Sequence, residues 1–276
     1  MSWSGPPEPD PPSLGVRDWL RVIRRGLPMA VVVFGGLGIL LFIRLIERPI
    51  FGATRPITPH ITVAVCRLSL WIMGLPHVMR GTIMRQRGAF VANHSSWLDI
   101  FVLNAAQPLY FVSKAEVAGW PGIGWLARAT GTVFIARDRT QAAAQKVLFE
   151  KRLLAGHQLL FFPEGTSTDG RRVLPFRPTL FAAFFGDALR HELSVQPVTV
   201  IYHAPDQAPV AFYGWWGDMS FVTSLLTMLA QPRHGHVEVV YHTPMRVDAS
   251  PNRKTLAKNA ESTIRAAHAA AHALDV

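Results

Sequence analysis

The sequence predicts an α/β domain built on a largely buried sheet flanked by helices. Three observations carry that prediction. From Gly88 onward short apolar runs recur: Ala89–Ala92, Leu109–Val112, Gly131–Ala136, Leu159–Phe162 and Val195–Tyr202. Each is short and nearly continuous in apolar residues, as a strand covered on both faces must be. Helical patterns lie between them, notably Thr140–Ala155 and Thr179–His191. The order strand, helix, strand argues for one layered α/β sheet.

The chain has 276 residues, enough for one large domain and a short extra segment. Hydrophobic residues make up 49% of it, and the mean hydropathy is +0.20. Lys and Arg number 28 against 18 acidic residues, a formal charge of +10. That excess attracts a polyanionic surface. The apolar bias selects anionic lipid over nucleic acid, and no nucleic-acid partner is expected. The one cysteine, Cys66, sits in an apolar run without a nearby His and reads as a packed small side chain.

Residues 1–24 read as a disordered basic tail: Pro, Ser and Gly up to Leu14, then Arg17, Arg21 and Arg24. Residues 25–78 read as membrane-anchoring and interfacial helices. Leu27–Ile43 is free of charge and slightly short for a perpendicular span of about 20 residues. With snorkelling Arg flanks it can still cross. Ile61–Leu75, broken by Arg67, is expected in the interface or packed on the domain. Trp215, Trp216 and Phe221–Ala230 fit either an interfacial aromatic belt or core packing. Lys254–Ala273 is an Ala-rich surface helix.

Two segments share a design in which a polar turn follows an apolar strand. In Asn93-His94-Ser95-Ser96-Trp97-Leu98-Asp99, Ser96 is a candidate helix N-cap and Asp99 a capping-box acid. His94 falls at a strand end, where sites in open α/β sheets gather. With a turn between them, the Asp99 carboxylate can reach one imidazole nitrogen and leave the other as a base. In Phe162-Pro163-Glu164-Gly165-Thr166, Glu164 projects at a strand end, and the backbone N–H groups at Gly165-Thr166 are candidates to hold an oxyanion. Arg137 ends the strand Gly131–Ala136, placed to clamp a phosphate or carboxylate. Val195-Gln196-Pro197-Val198 contains a proline and reads as edge or wall structure. No cluster of metal ligands is visible, and none is needed.

Taken together, these four segments over about residues 80–205 resemble the glycerolipid acyltransferases typified by 1-acylglycerol-3-phosphate acyltransferases. The shared blocks are NHxxxxD, a strand ending in Arg, FPEGT and V-x-P-V. The resemblance implies an acyltransferase domain over 79–276 with an N-terminal hydrophobic membrane-anchoring helix. It implies catalysis by a His–Asp dyad without an acyl-enzyme, His94 being the base and Asp99 its orienter. Arg137, Glu164, Gly165 and Thr166 would bind the acceptor. Asn93, Ser96, Lys114, Arg171 and Arg177 are further candidate contacts to acceptor or donor.

The phosphatidate-forming members continue FPEGT with Arg-Ser; here Ser167-Thr168-Asp169-Gly170 follows. That run, with Val173–Phe176 and Trp215–Met219, looks more like the bacterial lyso-ornithine-lipid O-acyltransferases. The expected reaction is transfer of a fatty-acyl group from acyl carrier protein or coenzyme A to lyso-ornithine lipid, with no bound cofactor. The expected place is the bacterial inner membrane, catalytic domain on the cytoplasmic side. The alternatives are a lysophosphatidic acid acceptor, a lipid or thioester hydrolase, and a non-catalytic lipid-binding protein. A serine hydrolase is disfavoured because no G-x-S-x-G elbow is present.

Overall fold

A computed structural model describes residues 5–135, 142–186 and 189–273. Two helices come first, α1 (Val16–Phe51) and α2 (Thr58–Met73). The alternating part follows: β1 (His77–Gly81), β2 (Gly88–Ala92), α3 (Asp99–Ala106), β3 (Tyr110–Lys114), α4 (Ile123–Thr130), β4 (Val133–Ile135), α5 (Ala142–Leu154) and β5 (Leu159–Phe161). A 3-10 helix at Pro178–Phe185 leads into β6 (Ser194–His203), α6 (Phe221–Ala230), β7 (His236–Tyr241), β8 (Met245–Arg246) and α7 (Arg253–His272).

The strands form a mixed sheet in the order β1-β7-β6-β2-β5-β3-β4, with β8 beside β6. Strands β6, β2, β5, β3 and β4 are mutually parallel; β7 and β8 run antiparallel to β6. All of β2 and β5 is buried, which is why both read as continuous apolar runs. Alternate residues face two cores, as the two-residue period of a strand requires. Phe90, Ala92, Leu160, Val198 and Val200 pack with α2, α3 and α6. Ala89, Val91, Leu159, Phe161 and Val195 pack with α5, the 3-10 helix and α7.

Three expectations need correction here. Residues 16–24, expected in the disordered tail, are the first turns of α1. Arg21 among them and the adjoining Arg25 serve the end of another helix: Arg25 donates to the carbonyls of Leu229 (3.0 Å), Gln231 (2.5 Å) and Pro232 (3.3 Å), and Arg21 to that of Ala230 (3.4 Å). Cations complement the unpaired carbonyls at a helix C-terminus, here that of α6. Arg67 does the same for α3 through Ala105 and Ala106, and Arg55 for α4 through Ala129. Part of the basic excess is therefore used internally.

Second, Pro197 lies in the middle of the sheet. On one side β6 pairs with β8 at Ser194 and Val195 and with β7 only from Val198 onward. Pro197 occupies the break, and its carbonyl accepts from His242 N–H on that side. A strand residue's N–H and C=O point the same way, so the missing donor removes no ladder bond.

Third, Thr179–His191 is a 3-10 helix only over Pro178–Phe185, and Asp187 and Ala188 lie outside the described residues. Its Phe181 packs edge-on against both Phe184 and Phe161 of β5, while Phe184 lies tilted against Phe161, and that aromatic packing fixes the segment.

Trp216 is buried, and α6 turns Ser224, Met228 and Leu229 inward, so core packing describes this region better than an aromatic belt. Cys66 is buried in the α2 face of the core, as its apolar setting predicts.

Candidate active site

Five parallel strands end on one rim, and the two polar turns meet there. Asn93 closes β2: its amide donates to Val200 O and accepts from Val200 N–H, both at 2.8 Å. This buried pair ties the turn to β6, and Asn93 serves there as a brace.

His94 follows. Its Nδ1 lies 2.7 Å from Asp99 Oδ2. A carboxylate can only accept here, so the ring donates from Nδ1 and its Nε2 keeps a free lone pair. The His94 side chain is 19% exposed and Asp99 fully buried. Phe162 stacks flat against the imidazole, centroids 4.0 Å apart at 10°. Ring plane and tautomer are thus both fixed by neighbours.

Asp99 does more than orient the ring. The same Oδ2 accepts from Ser95 N–H at 2.9 Å and Ser96 N–H at 3.1 Å. The expected capping box is therefore reorganised. Asp99 opens α3, and its carboxylate reaches back over the turn, while Ser96 Oγ accepts only from Leu98 N–H at 3.3 Å. Ser96 is fully buried and serves the turn.

Glu164 was expected on the acceptor. Instead it is buried, and both oxygens serve backbone: Oε1 accepts from His94 N–H at 2.7 Å and Oε2 from Leu174 N–H at 2.5 Å. Burial pushes its carboxyl up to about 8, against the two backbone donors that pull it down. A folded carboxyl raised above its usual 4.5 keeps its proton where the unfolded one has lost it. Stability from this group is therefore full below about 4.5 and is lost as pH rises toward 8. Either protonation state leaves a lone pair for each N–H. An amide cannot, because its NH2 would face a backbone donor. Glu164→Gln is expected to lower kcat with little change in the acceptor KM, since it moves the His94 backbone, at a stability cost of about 1–3 kcal/mol. Steady-state kinetics and thermal melting check this; a raised KM with intact kcat would return Glu164 to the acceptor.

Gly165 has φ +75, a backbone that favours glycine, and its N–H donates to Phe162 O at 3.0 Å. That donor is already used and is not offered to an oxyanion. A Cβ at 165 would lie 2.9 Å from the Arg177 guanidinium carbon. Arg177 is thus the cation brought to this turn. Thr166 is partly exposed on the same turn. Thr168 donates to His94 O from both N–H (3.0 Å) and Oγ1 (3.1 Å), stitching the two turns together. Arg171 reaches His272 of α7 at 2.6 Å, and Arg172 pairs with Asp169 at 2.9 Å. Lys114 ends β3 on the same rim, two strands from β2, about 10 Å by strand spacing. Arg137 lies outside the described residues.

Sequence reasoning missed the roles of Phe162, Thr168, Trp215, whose N–H donates to Ser95 O at 2.9 Å, and Tyr202, whose hydroxyl donates to Asp99 Oδ1. Only Phe162 carried a usable signal, as an aromatic residue at the end of a buried strand.

The arrangement commits His94 Nδ1 to Asp99 and leaves the ring partly exposed, with no hydrogen-bond partner for Nε2 among the described residues. A family model described as Acyltransferase matches residues 77–201. The chain is 55% identical to lyso-ornithine lipid O-acyltransferase of Rhodobacter capsulatus, with 95% of each chain covered. It is 34% identical to lyso-ornithine lipid O-acyltransferase of Pseudomonas aeruginosa, covering 90% of this chain and 93% of the other. The crystal structure of the 1-acyl-sn-glycerophosphate acyltransferase PlsC from Thermotoga maritima superimposes with a TM-score of 0.66 at 19% identity, covering 94% and 97%, a likeness of fold. Whole-length similarity and the matched domain lead to one conclusion: the chain belongs to the acyltransferase family and is an acyltransferase.

Proposed function

We propose that this enzyme transfers a fatty-acyl group from a thioester, acyl carrier protein or coenzyme A, to the free hydroxyl of lyso-ornithine lipid, with His94 as general base. The observation that carries the reaction type is the His94–Asp99 pair, with Nδ1 committed to the carboxylate and the ring partly exposed. A lipid hydroxyl is a weak nucleophile at neutral pH. His94 Nε2 takes its proton as the oxygen attacks the thioester carbonyl. The C–S bond then breaks, and the departing thiolate takes the proton from the imidazolium. An ester and a free thiol remain, and no acyl group is ever bonded to the enzyme.

The acceptor reading rests on whole-length likeness to enzymes named for it and on the turn after Glu164. Ser167 and Thr168, where phosphatidate-forming relatives carry Arg-Ser, are buried. Arg177 is the candidate cation for the ornithine carboxylate.

The membrane reading rests on α1, the one helix among the described residues long and apolar enough to cross a membrane. Leu27, Val31, Phe34, Ile39, Leu41 and Phe42 are exposed along it. Both ends of that run are pinned to the same body. Arg25 holds α6, and the buried Glu47 accepts from Ile57 and Thr58 N–H at the start of α2, at 2.7 and 3.1 Å. This favours a helix lying in one leaflet over one that crosses, with the domain on the cytoplasmic side where thioesters are made.

The test offers the purified protein lyso-ornithine lipid and lysophosphatidic acid, each with both donors, and identifies products by mass spectrometry. The expected result is the ester of lyso-ornithine lipid, formed at least about tenfold faster than phosphatidic acid, a discrimination of ~1.4 kcal/mol. The reverse preference would assign the phosphatidate reaction, and fatty acid without ester a hydrolase.

A further inference from the structure

Asp99 is held from a direction that the H-x4-D spacing does not reveal. Its Oδ2 serves His94, Ser95 and Ser96. Its Oδ1 accepts from the hydroxyl of Tyr202 at 2.7 Å. Tyr202 is the next-to-last residue of β6, the neighbour of β2. Period-two alternation puts it on the face of Val198 and Val200, the face on which α3 begins.

We propose that Tyr202 is a positioning residue for acyl transfer: its hydroxyl locks the plane of the Asp99 carboxylate with Oδ2 toward His94 Nδ1 and shares the charge that the imidazolium will feel. The proposal rests on the reading of His94 as general base. A carboxylate rotates readily about its last bond, with two equivalent settings. Tying Oδ1 to a buried donor makes that rotation break a charge-assisted hydrogen bond where no water can replace it. The phenol is a dependable donor, because burial and the adjacent carboxylate keep its proton on. Its neighbour Tyr213, with ring centroid 5.4 Å away, is aimed elsewhere. The Tyr213 hydroxyl lies 2.9 Å from His234 Nδ1 and accepts from Gly235 N–H at 3.1 Å. Tyr213 therefore shares the burial of Tyr202 without its contact to Asp99.

The experiment compares wild type, Tyr202→Phe and Tyr213→Phe for kcat, acceptor KM, thermal melting and the pH profile of kcat/KM. Tyr202→Phe is expected to lower kcat about tenfold, ~1.4 kcal/mol of barrier, with KM within about twofold. The acid limb of its profile moves to higher pH, because the unshared carboxylate holds the imidazolium proton more tightly. Tyr213→Phe leaves the limb in place. A Tyr202→Phe profile superimposable on wild type, or the same displacement in both variants, overturns the proposal. If Tyr202→Phe melts too low to assay, 3-fluorotyrosine placed at 202 alone keeps the ring and strengthens the donor. The acid limb must then move to lower pH, and an unmoved limb overturns the proposal. His94→Ala separates the two readings: turnover in that variant removes the base assignment and Tyr202 with it. An inactive His94→Ala beside a wild-type-like Tyr202→Phe removes only Tyr202.

Discussion

His94→Ala is expected to lower ester formation by about 10³-fold, within the range a positioned general base supplies. The acceptor hydroxyl then has no group to take its proton during attack. Binding of both substrates persists, so KM should move little while kcat collapses. The fold should survive. The side chain is partly exposed, and its stack on Phe162 is worth about 0.5–1.5 kcal/mol, small beside a domain's total stability. The His94 backbone N–H, which Glu164 holds, is kept by any residue at 94. Initial rates by mass spectrometry, with melting curves and membrane fractionation of the same samples, check all three expectations.

Asp99→Asn has the second-largest expected effect, a fall in kcat of about 10²-fold with about 1–3 kcal/mol of lost stability. The carboxylate accepts four hydrogen bonds, three on one oxygen. An amide can keep its oxygen toward His94, Ser95 and Ser96 only by turning its NH2 to the Tyr202 hydroxyl, which must then accept. The imidazolium formed during transfer also loses the negative charge beside it. The opposite flip points NH2 at two backbone donors and forces His94 into the wrong tautomer. Kinetics at saturating donor, with the melting temperature of the same preparation, separate the catalytic from the structural loss.

How far the sequence revealed this site depends on the range of each contact. His94 and Asp99 are joined through one turn, so a pair is within reach of their spacing, but that spacing fits a capping acid equally and needs the second polar turn beside it to be read as a site. Glu164 was located on the right rim, but its backbone bonds were not foreseen. Its buried bonds to His94 and Leu174 N–H depend on β2 and β5 being neighbours, which spacing does not state. Tyr202 is out of reach for the same reason, since its contact with Asp99 requires β6 on the other side of β2. The strands were legible because burial on both faces leaves continuous apolar runs. The start of α1 was not, because Arg21 and Arg25 look solvated until the carbonyl end of α6 is placed against them. Pro197 misled for a related reason: its tolerance depends on where β8 stops and β7 starts.

The acyl group is expected to pass directly from thioester to lipid hydroxyl, driven by His94. Thiol release, followed in time with acyl thioester present and lyso-ornithine lipid absent and then added, tests it most directly. Direct transfer predicts no thiol and no mass added to the protein before the lipid arrives, then one thiol for each ester formed. Thiol release at the full rate without lipid, or an acyl adduct on the protein, would contradict it.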